Sequence, residues 1–202
     1  MIATVTDTKI EVKKEQSEGV TVVINPSALP EKKEEVETKV KKKSAKKKKS
    51  EKIQITFVCT GNTCRSAMAD AIFNDYIKRQ KLKTKFAVKS RGLSVAVGDG
   101  MNPSAKAGLA YIDIPVPQHS AKQFSLDECA GDTLIVCMTA RQKMAIGTPN
   151  AYSIGEITHR GDVPDPYGYP IEEYVKVAKY LRQSIGQVLS MAENLAKANK
   201  TE

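Results

Sequence analysis

An apolar β-type run, Ile53-Gln54-Ile55-Thr56-Phe57-Val58, ends in Cys59-Thr60-Gly61-Asn62-Thr63-Cys64-Arg65-Ser66, and a helical pattern begins at once. This junction constrains the fold more than any other part of the chain. Met68, Ile72 and Tyr76, with Phe73 and Ile77, recur at spacings of four, as one buried face of a helix over Ser66–Lys81 requires. A strand passing straight into a helix through a glycine-containing loop is the opening of an alternating α/β fold. The same junction gathers a thiol, an arginine and several backbone N–H groups at a helix N-terminus. Such a point is suited to binding a tetrahedral oxyanion and attacking it.

The alternation continues downstream. A strand is expected at Phe86–Ser90, a Gly-rich loop from Gly92 to Gly100, and a helix from Pro103, a first-turn proline, to Ile112. Thr133–Met138 reads as a fully buried strand. A short helical piece follows, then a strand near Tyr152–Ile154. One long helix runs from beyond Pro170 to about Lys197, with Ile171, Tyr174, Val175, Ala178, Leu181, Ile185, Val188, Leu189 and Ala192 on one side. The expected architecture is an α/β three-layer sandwich: a mainly parallel four-stranded sheet with helices on both faces. Ligands of such sheets sit at the carboxyl ends of the strands, where Cys59 lies.

Residues 1–52 do not share this pattern. The 202-residue chain has a net charge of +9, and between Thr38 and Lys52 nine lysines stand against Glu51 alone. A run such as Lys46-Lys47-Lys48-Lys49 repels itself and has nothing to bury. Two short β-like stretches, Ile2–Val12 and Gly19–Ile24, would form at most a marginal hairpin. Residues 1–52 are therefore expected to be a disordered Lys-rich arm, and 53–202 the folded domain. Lys39–Lys52 is suited to weak polyanion contact, with nucleic acid or an acidic surface, through phosphate neutralisation. It lacks the interleaved aromatics and arginines that base readout needs. No apolar stretch approaches the ~18 residues that span a bilayer, and Met1–Val5 lacks the basic-then-apolar pattern of a signal peptide. Four cysteines in a chain of this size do not make a disulfide scaffold and fit a reducing cytoplasm.

Attack on a phosphoryl group needs an anionic nucleophile, whereas a free cysteine titrates near ~8.5. A helix N-terminus and a neighbouring hydroxyl, Ser66, both favour the thiolate. Gly61 is expected at a turn that a β-carbon would obstruct. Asn62 tolerates left-handed geometry while its amide pins the loop. Arg65 offers a planar fork to two phosphoryl oxygens, which a lysine would not. The leaving group needs a proton, and Val163-Pro164-Asp165-Pro166-Tyr167-Gly168 supplies a candidate acid held out by flanking prolines. Tyr167 is expected to wall the pocket.

Together, Val58-Cys59-Thr60-Gly61-Asn62-Thr63-Cys64-Arg65-Ser66 and Asp165-Pro166-Tyr167 resemble the signature of the low-molecular-weight protein tyrosine phosphatase family, over about Ile53 to Ala196. The resemblance implies a phosphocysteine on Cys59, phosphate bound by Arg65 and loop amides, and Asp165 as acid and then base for water. It implies no metal and no cofactor, and phosphorylated proteins as substrates. Ser90, after Val88-Lys89, and His119 resemble the family's residues that brace the loop together with Asn62 and Ser66. His159 has no such match.

Within the family, Cys59-Thr60-Gly61-Asn62-Thr63-Cys64-Arg65-Ser66 is most similar to the bacterial protein arginine phosphatases, where a small polar residue at Thr63 accommodates a phosphoguanidinium. Gly161-Asp162-Val163 also resembles that subgroup. Tyrosine-directed members usually carry a larger apolar residue there, so phosphotyrosine is the alternative. Departures from the family are Ala67 for a proline, Arg91 adding positive charge near the site, and Ser94 in the place of an aromatic wall. Cys64 either forms a reversible disulfide with Cys59 that guards against over-oxidation or packs beneath the loop. Cys129 and Cys137 are expected to be buried packing residues. A thiol-dependent arsenate reductase uses the same fold but needs further cysteines, and Met144 stands seven residues after Cys137, where a partner thiol would be expected.

Overall fold

The computed structural model of the chain describes residues 52–129 and 133–199. The expectations for the Lys-rich arm and its polyanion contact lie outside the described residues. Four strands, β1 (Ile53–Cys59), β2 (Phe86–Gly92), β3 (Thr133–Cys137) and β4 (Ala151–Ser153), form one sheet in the order β2-β1-β3-β4, with every pairing parallel. The helices are α1 (Arg65–Arg79), α2 (Pro103–Tyr111), α3 (Ala140–Ile146), α4 (Ile154–Thr158), α5 (Ile171–Gln183) and α6 (Ile185–Ala198). The chain is thus an α/β fold of the expected kind.

Both sheet faces are covered, which explains why β3 reads as a nearly continuous apolar run rather than an alternating one. On one face Ile55, Phe57, Leu134 and Val136 join α1, α2, α5 and α6 in the main core. Phe57 and Phe73 meet there with ring centroids 4.5 Å apart. On the other face Val58, Ile135, Cys137 and Ala151 pack with Ile146 of α3, and Leu93, Phe124 and Cys129 lie against them. Cys137 is fully buried, as expected, whereas Cys129 is only partly so.

Three local features depart from the sequence expectation. The long C-terminal helix is two helices, broken at Ser184. The Ser184 hydroxyl donates to the Tyr180 carbonyl at 2.8 Å, while its N–H bonds Leu181 rather than Tyr180. Such back-bonding bends a helix, and the apolar stripe conceals it because both halves keep the same period. Second, α4 begins at Ile154, where a strand was expected to end. A capping box starts it, Ser153 Oγ accepting from the Glu156 N–H and the Glu156 carboxylate accepting from the Ser153 N–H. Third, α1 stops at Arg79 rather than Lys81, which has a positive φ of 57°.

Among the described residues no helix is long and apolar enough to cross a membrane.

Candidate active site

β1 delivers Cys59 to the carboxyl edge of the sheet, and α1 begins six residues later. The first turn of α1 has no side-chain cap, so its N–H groups remain turned to whatever lies before them. A cavity of about 240 Å³ opens there, lined by Cys59, Thr60, Gly61, Thr63, Cys64, Arg65, Asp165 and Tyr167. Cys59 is 3% exposed. Its sulfur lies 3.0 Å from Ser66 Oγ and accepts from the Asn62 N–H at 3.3 Å.

Asn62 is the keystone of the loop. It is fully buried and left-handed, with φ 56°. Its Nδ2 donates to Ser66 Oγ at 2.9 Å, and its Oδ1 accepts from the Lys122 N–H at 2.9 Å. Its carbonyl lies 2.6 Å from His119 Nε2, which must therefore be the protonated nitrogen because a carbonyl only accepts. Ser66 Oγ contacts the Arg91 carbonyl at 3.2 Å, tying the loop to β2.

Gly61 is not the special position the sequence pointed to. Its φ is not positive, and a β-carbon there would meet nothing nearer than Thr63 Oγ1 at 3.7 Å. The tight glycine is Gly92, where a β-carbon would fall 2.6 Å from the Thr60 carbonyl and 3.0 Å from the Asn62 nitrogen. The end of β2 approaches the loop backbone so closely that no side chain fits. In the sequence Gly92 only opens a Gly-rich loop, and nothing there marks this approach.

The Ser90 side chain bonds Asp70 of α1 rather than the loop. Its hydroxyl donates to Asp70 Oδ2 at 2.9 Å, and Asn74 Nδ2 donates to Asp70 Oδ1 at 2.6 Å. Burial pushes the Asp70 carboxyl up from its ordinary value, against those hydrogen bonds and the nearby His119. Arg91 does not add free charge to the cavity. Glu128 holds its Nε at 2.6 Å and also pairs with Lys89. Ser94 is not among the lining residues, and its N–H donates to the Thr60 carbonyl at 3.0 Å. Gln142, which the sequence did not single out, donates to Thr60 Oγ1 at 3.3 Å from the N-terminal box of α3.

Arg65 is buried, and its Nη2 meets Asp165 Oδ2 at 2.5 Å. Nη1 donates to the Val163 carbonyl at 3.4 Å, while Nε is shielded and has no partner. The Asp165 side chain is 52% exposed and Tyr167 is 70% exposed. Cys64 is buried, lines the cavity with its sulfur 3.8 Å from Thr63 Oγ1, and burial pushes its thiol up. His159 caps α4 in a left-handed conformation, outside the cavity. A larger cleft of about 810 Å³, lined by Tyr152, Ile157, Gln187 and Met191 among others, shares no residue with this site and holds no thiol. Among the described residues no three metal-ligating side chains converge.

A parallel sheet that brings a thiol, a guanidinium and a carboxylate to one cavity at its carboxyl edge defines a class: an α/β domain shaped around an oxyanion. The sequence profile described as low molecular weight phosphotyrosine protein phosphatase matches residues 54–201, and the chain belongs to that family. A low molecular weight protein-tyrosine-phosphatase, PtpB, from Staphylococcus haemolyticus is 32% identical over 67% of this chain and 97% of its own. A protein-arginine-phosphatase from Bacillus subtilis is 28% identical over 67% of this chain and 94% of its own. The solved structure of a cysteine-to-serine mutant of the YwlE arginine phosphatase, with a phosphorylated active-site serine, superposes with a TM-score of 0.61. It is 29% identical and covers 74% of this chain and 99% of that one.

Proposed function

We propose that this enzyme removes phosphate from protein side chains through a phosphocysteine on Cys59. One observation carries the reading: a buried sulfur, contacted by Ser66 Oγ and the Asn62 N–H, opens into the same cavity as Arg65 and Asp165. In the first step the Cys59 thiolate attacks phosphorus, and Asp165 gives its proton to the departing oxygen or nitrogen. The loop N–H groups and the Arg65 fork hold the equatorial oxygens. In the second step Asp165 takes a proton from water, which attacks phosphorus and frees Cys59. The shielded, unpartnered Arg65 Nε supports this role, because a bound phosphoryl oxygen would satisfy it. No step calls for a metal or a cofactor, and a cytoplasmic setting keeps the thiol reduced.

Phosphoarginine is the favoured substrate. Thr63 lines the cavity with a small polar side chain, and Thr60, held by Gln142, lines it too. A phosphoguanidinium carries N–H groups that such hydroxyls accept. Phosphotyrosine is the second reading, favoured by the exposed ring of Tyr167 at the rim. Arsenate reduction fits less well. Cys137 is fully buried, with its thiol pushed up to about 12 by burial, and exposed Met144 supplies no partner thiol. Any polyanion contact by Lys39–Lys52 would be additional to catalysis, and turnover of a small aryl phosphate should survive deletion of residues 1–52.

The deciding experiment compares kcat/KM for phosphoarginine and phosphotyrosine peptides in the wild type and in Cys59→Ser. Wild-type preference for phosphoarginine and a loss of at least about 10⁴-fold in Cys59→Ser are expected. Normal phosphate release by Cys59→Ser would refute the mechanism.

A further inference from the structure

Asp165 and Tyr167 are exposed on either side of a buried Pro166, so the aim of the acid depends on how the segment before it is fixed. The chain reaches it from α4 through two left-handed residues, His159 (φ 56°) and Gly161 (φ 84°). Tyr180 of α5 meets that turn. Its hydroxyl donates to the Gly161 carbonyl at 2.7 Å and lies 2.9 Å from Thr158 Oγ1. The Arg160 guanidinium stacks on the Tyr180 ring, 4.3 Å from its centroid. Its fork donates to Gln183 Oε1 at 2.8 Å, the Tyr180 carbonyl at 3.2 Å and Ser184 Oγ at 2.8 Å. Gly155 lets the two backbones close up, since a β-carbon there would come within 2.7 Å of Gly161. The break between α5 and α6 at Ser184 is therefore part of this anchor.

Beyond Gly161, the Val163 N–H donates to the Met138 carbonyl at 2.9 Å, and Val163 is fully buried. Gly161 and Val163 are thus two fixed points just before Asp165. Pro164 and Pro166 stiffen the segment on either side of the acid, because each locks its own φ. The Asp162 carboxylate, accepting from the Ala140 N–H at 3.0 Å, ties the residue between Gly161 and Val163, so Gly161 is the first of three points that together aim Asp165.

We propose that Tyr180, with Arg160 stacked on it, is a positioning residue for Asp165. The Tyr180 hydroxyl sets the direction in which the segment leaves the fold, and hence where the acid's proton is delivered. This rests on the assignment of Asp165 as the acid.

Tyr180→Phe keeps the ring and the Arg160 stack and removes only the hydroxyl. The test reads kcat/KM for phenyl phosphate, whose leaving group needs a proton, and for 2,4-dinitrophenyl phosphate, whose leaving group does not. A loss of about tenfold on the first and less than about twofold on the second is expected, within what a general acid contributes. The alkaline limb of the pH profile should flatten in step. Arg160→Gln should show the same split, and thermal midpoints report whether either variant is still folded.

Equal losses on both substrates would overturn the positioning role. So would a split in Asp165→Ala that is absent from Tyr180→Phe, which would leave the acid assignment intact. A wild type that turns over neither substrate would overturn the acid assignment and this inference with it.

Discussion

Cys59–Ser66 and Val163–Tyr167 face each other across one cavity, and the chain holds them differently. In the first, Cys59, Asn62, Arg65 and Ser66 are buried, and Asn62 alone is fixed through its N–H, carbonyl and both amide atoms. In the second, Val163 and Pro166 are buried, but Asp165 and Tyr167 are exposed, and Asp165 is held to the loop by its pair with Arg65. An anion cradle gains from rigidity, since donors that need not move cost no reorganisation during transfer. An acid that also serves as base, the role proposed for Asp165, gains from an anchored segment that leaves its carboxylate free to turn.

Removing that carboxylate should have the largest effect short of losing the nucleophile. Asp165→Ala is expected to lower kcat/KM about 100- to 10,000-fold on poor leaving groups. It should also let phosphoenzyme accumulate, visible as an added phosphate by intact mass after a rapid acid quench. Stability should change little, because the carboxylate is half exposed. A large fall in thermal midpoint would mean that the segment is as structural as the loop.

Asn62→Ala breaks the comparison from the other side. It leaves the Lys122 N–H without its acceptor and puts a β-branchless but non-glycine residue at φ 56°. A loss of about 1–3 kcal/mol is expected in denaturant unfolding, with turnover down about tenfold or more. Asn62→Gly removes the backbone strain but not the lost bonds, so it should recover part of the stability and little of the rate. Full recovery of rate would show that the left-handed turn, and not the amide, shapes the loop.

The same contrast governs how much is legible in the sequence. β1, the loop and α1 can be read because periodicity, left-handed Asn62 and the helix start are local properties. Asp165 is readable only in company, since Asp-Pro-Tyr alone is an ordinary surface turn. Gly92, Gln142 and Glu128 do not stand out because their roles arise from approaches between distant segments: β2 to the loop, α3 to Thr60, and the turn at Leu126–Cys129 to β2. Gly61 is easily over-read for the same reason, because a glycine's necessity depends on its neighbours in space. The break at Ser184 is hidden by an apolar stripe that runs through it unchanged. A capping box, Ser153-Ile154-Gly155-Glu156, does announce α4.

Thr63 lines the cavity, so on the proposed reading its effect should be on choice rather than on rate. Thr63→Ile is expected to move the phosphoarginine-to-phosphotyrosine ratio of kcat/KM about tenfold toward phosphotyrosine. The rate on a small aryl phosphate should change less. An unchanged ratio would place selectivity on the exposed side of the cavity, at Tyr167.

Glu128→Gln should have the smallest effect and tests whether the rigid side depends on charge as well as on shape. Burial alone would raise the Glu128 carboxyl, but its bonds to Lys89 and Arg91 outweigh that and hold it below its ordinary 4.5. A depressed acid stabilises the fold above its unfolded value and loses that contribution as pH falls through the folded one. The variant should therefore be less stable than the wild type at neutral pH, by about 1 kcal/mol for a partly covered ion-pair cluster at the edge of the fold. The gap in thermal midpoint should narrow as pH falls below 4.5. Turnover should hold, because Ser66 is braced by the Arg91 backbone carbonyl and not by the Arg91 side chain. A lower KM for anionic peptides would instead mean that Arg91, once released, reaches the cavity, and that Glu128 keeps the anion site selective by holding that charge away.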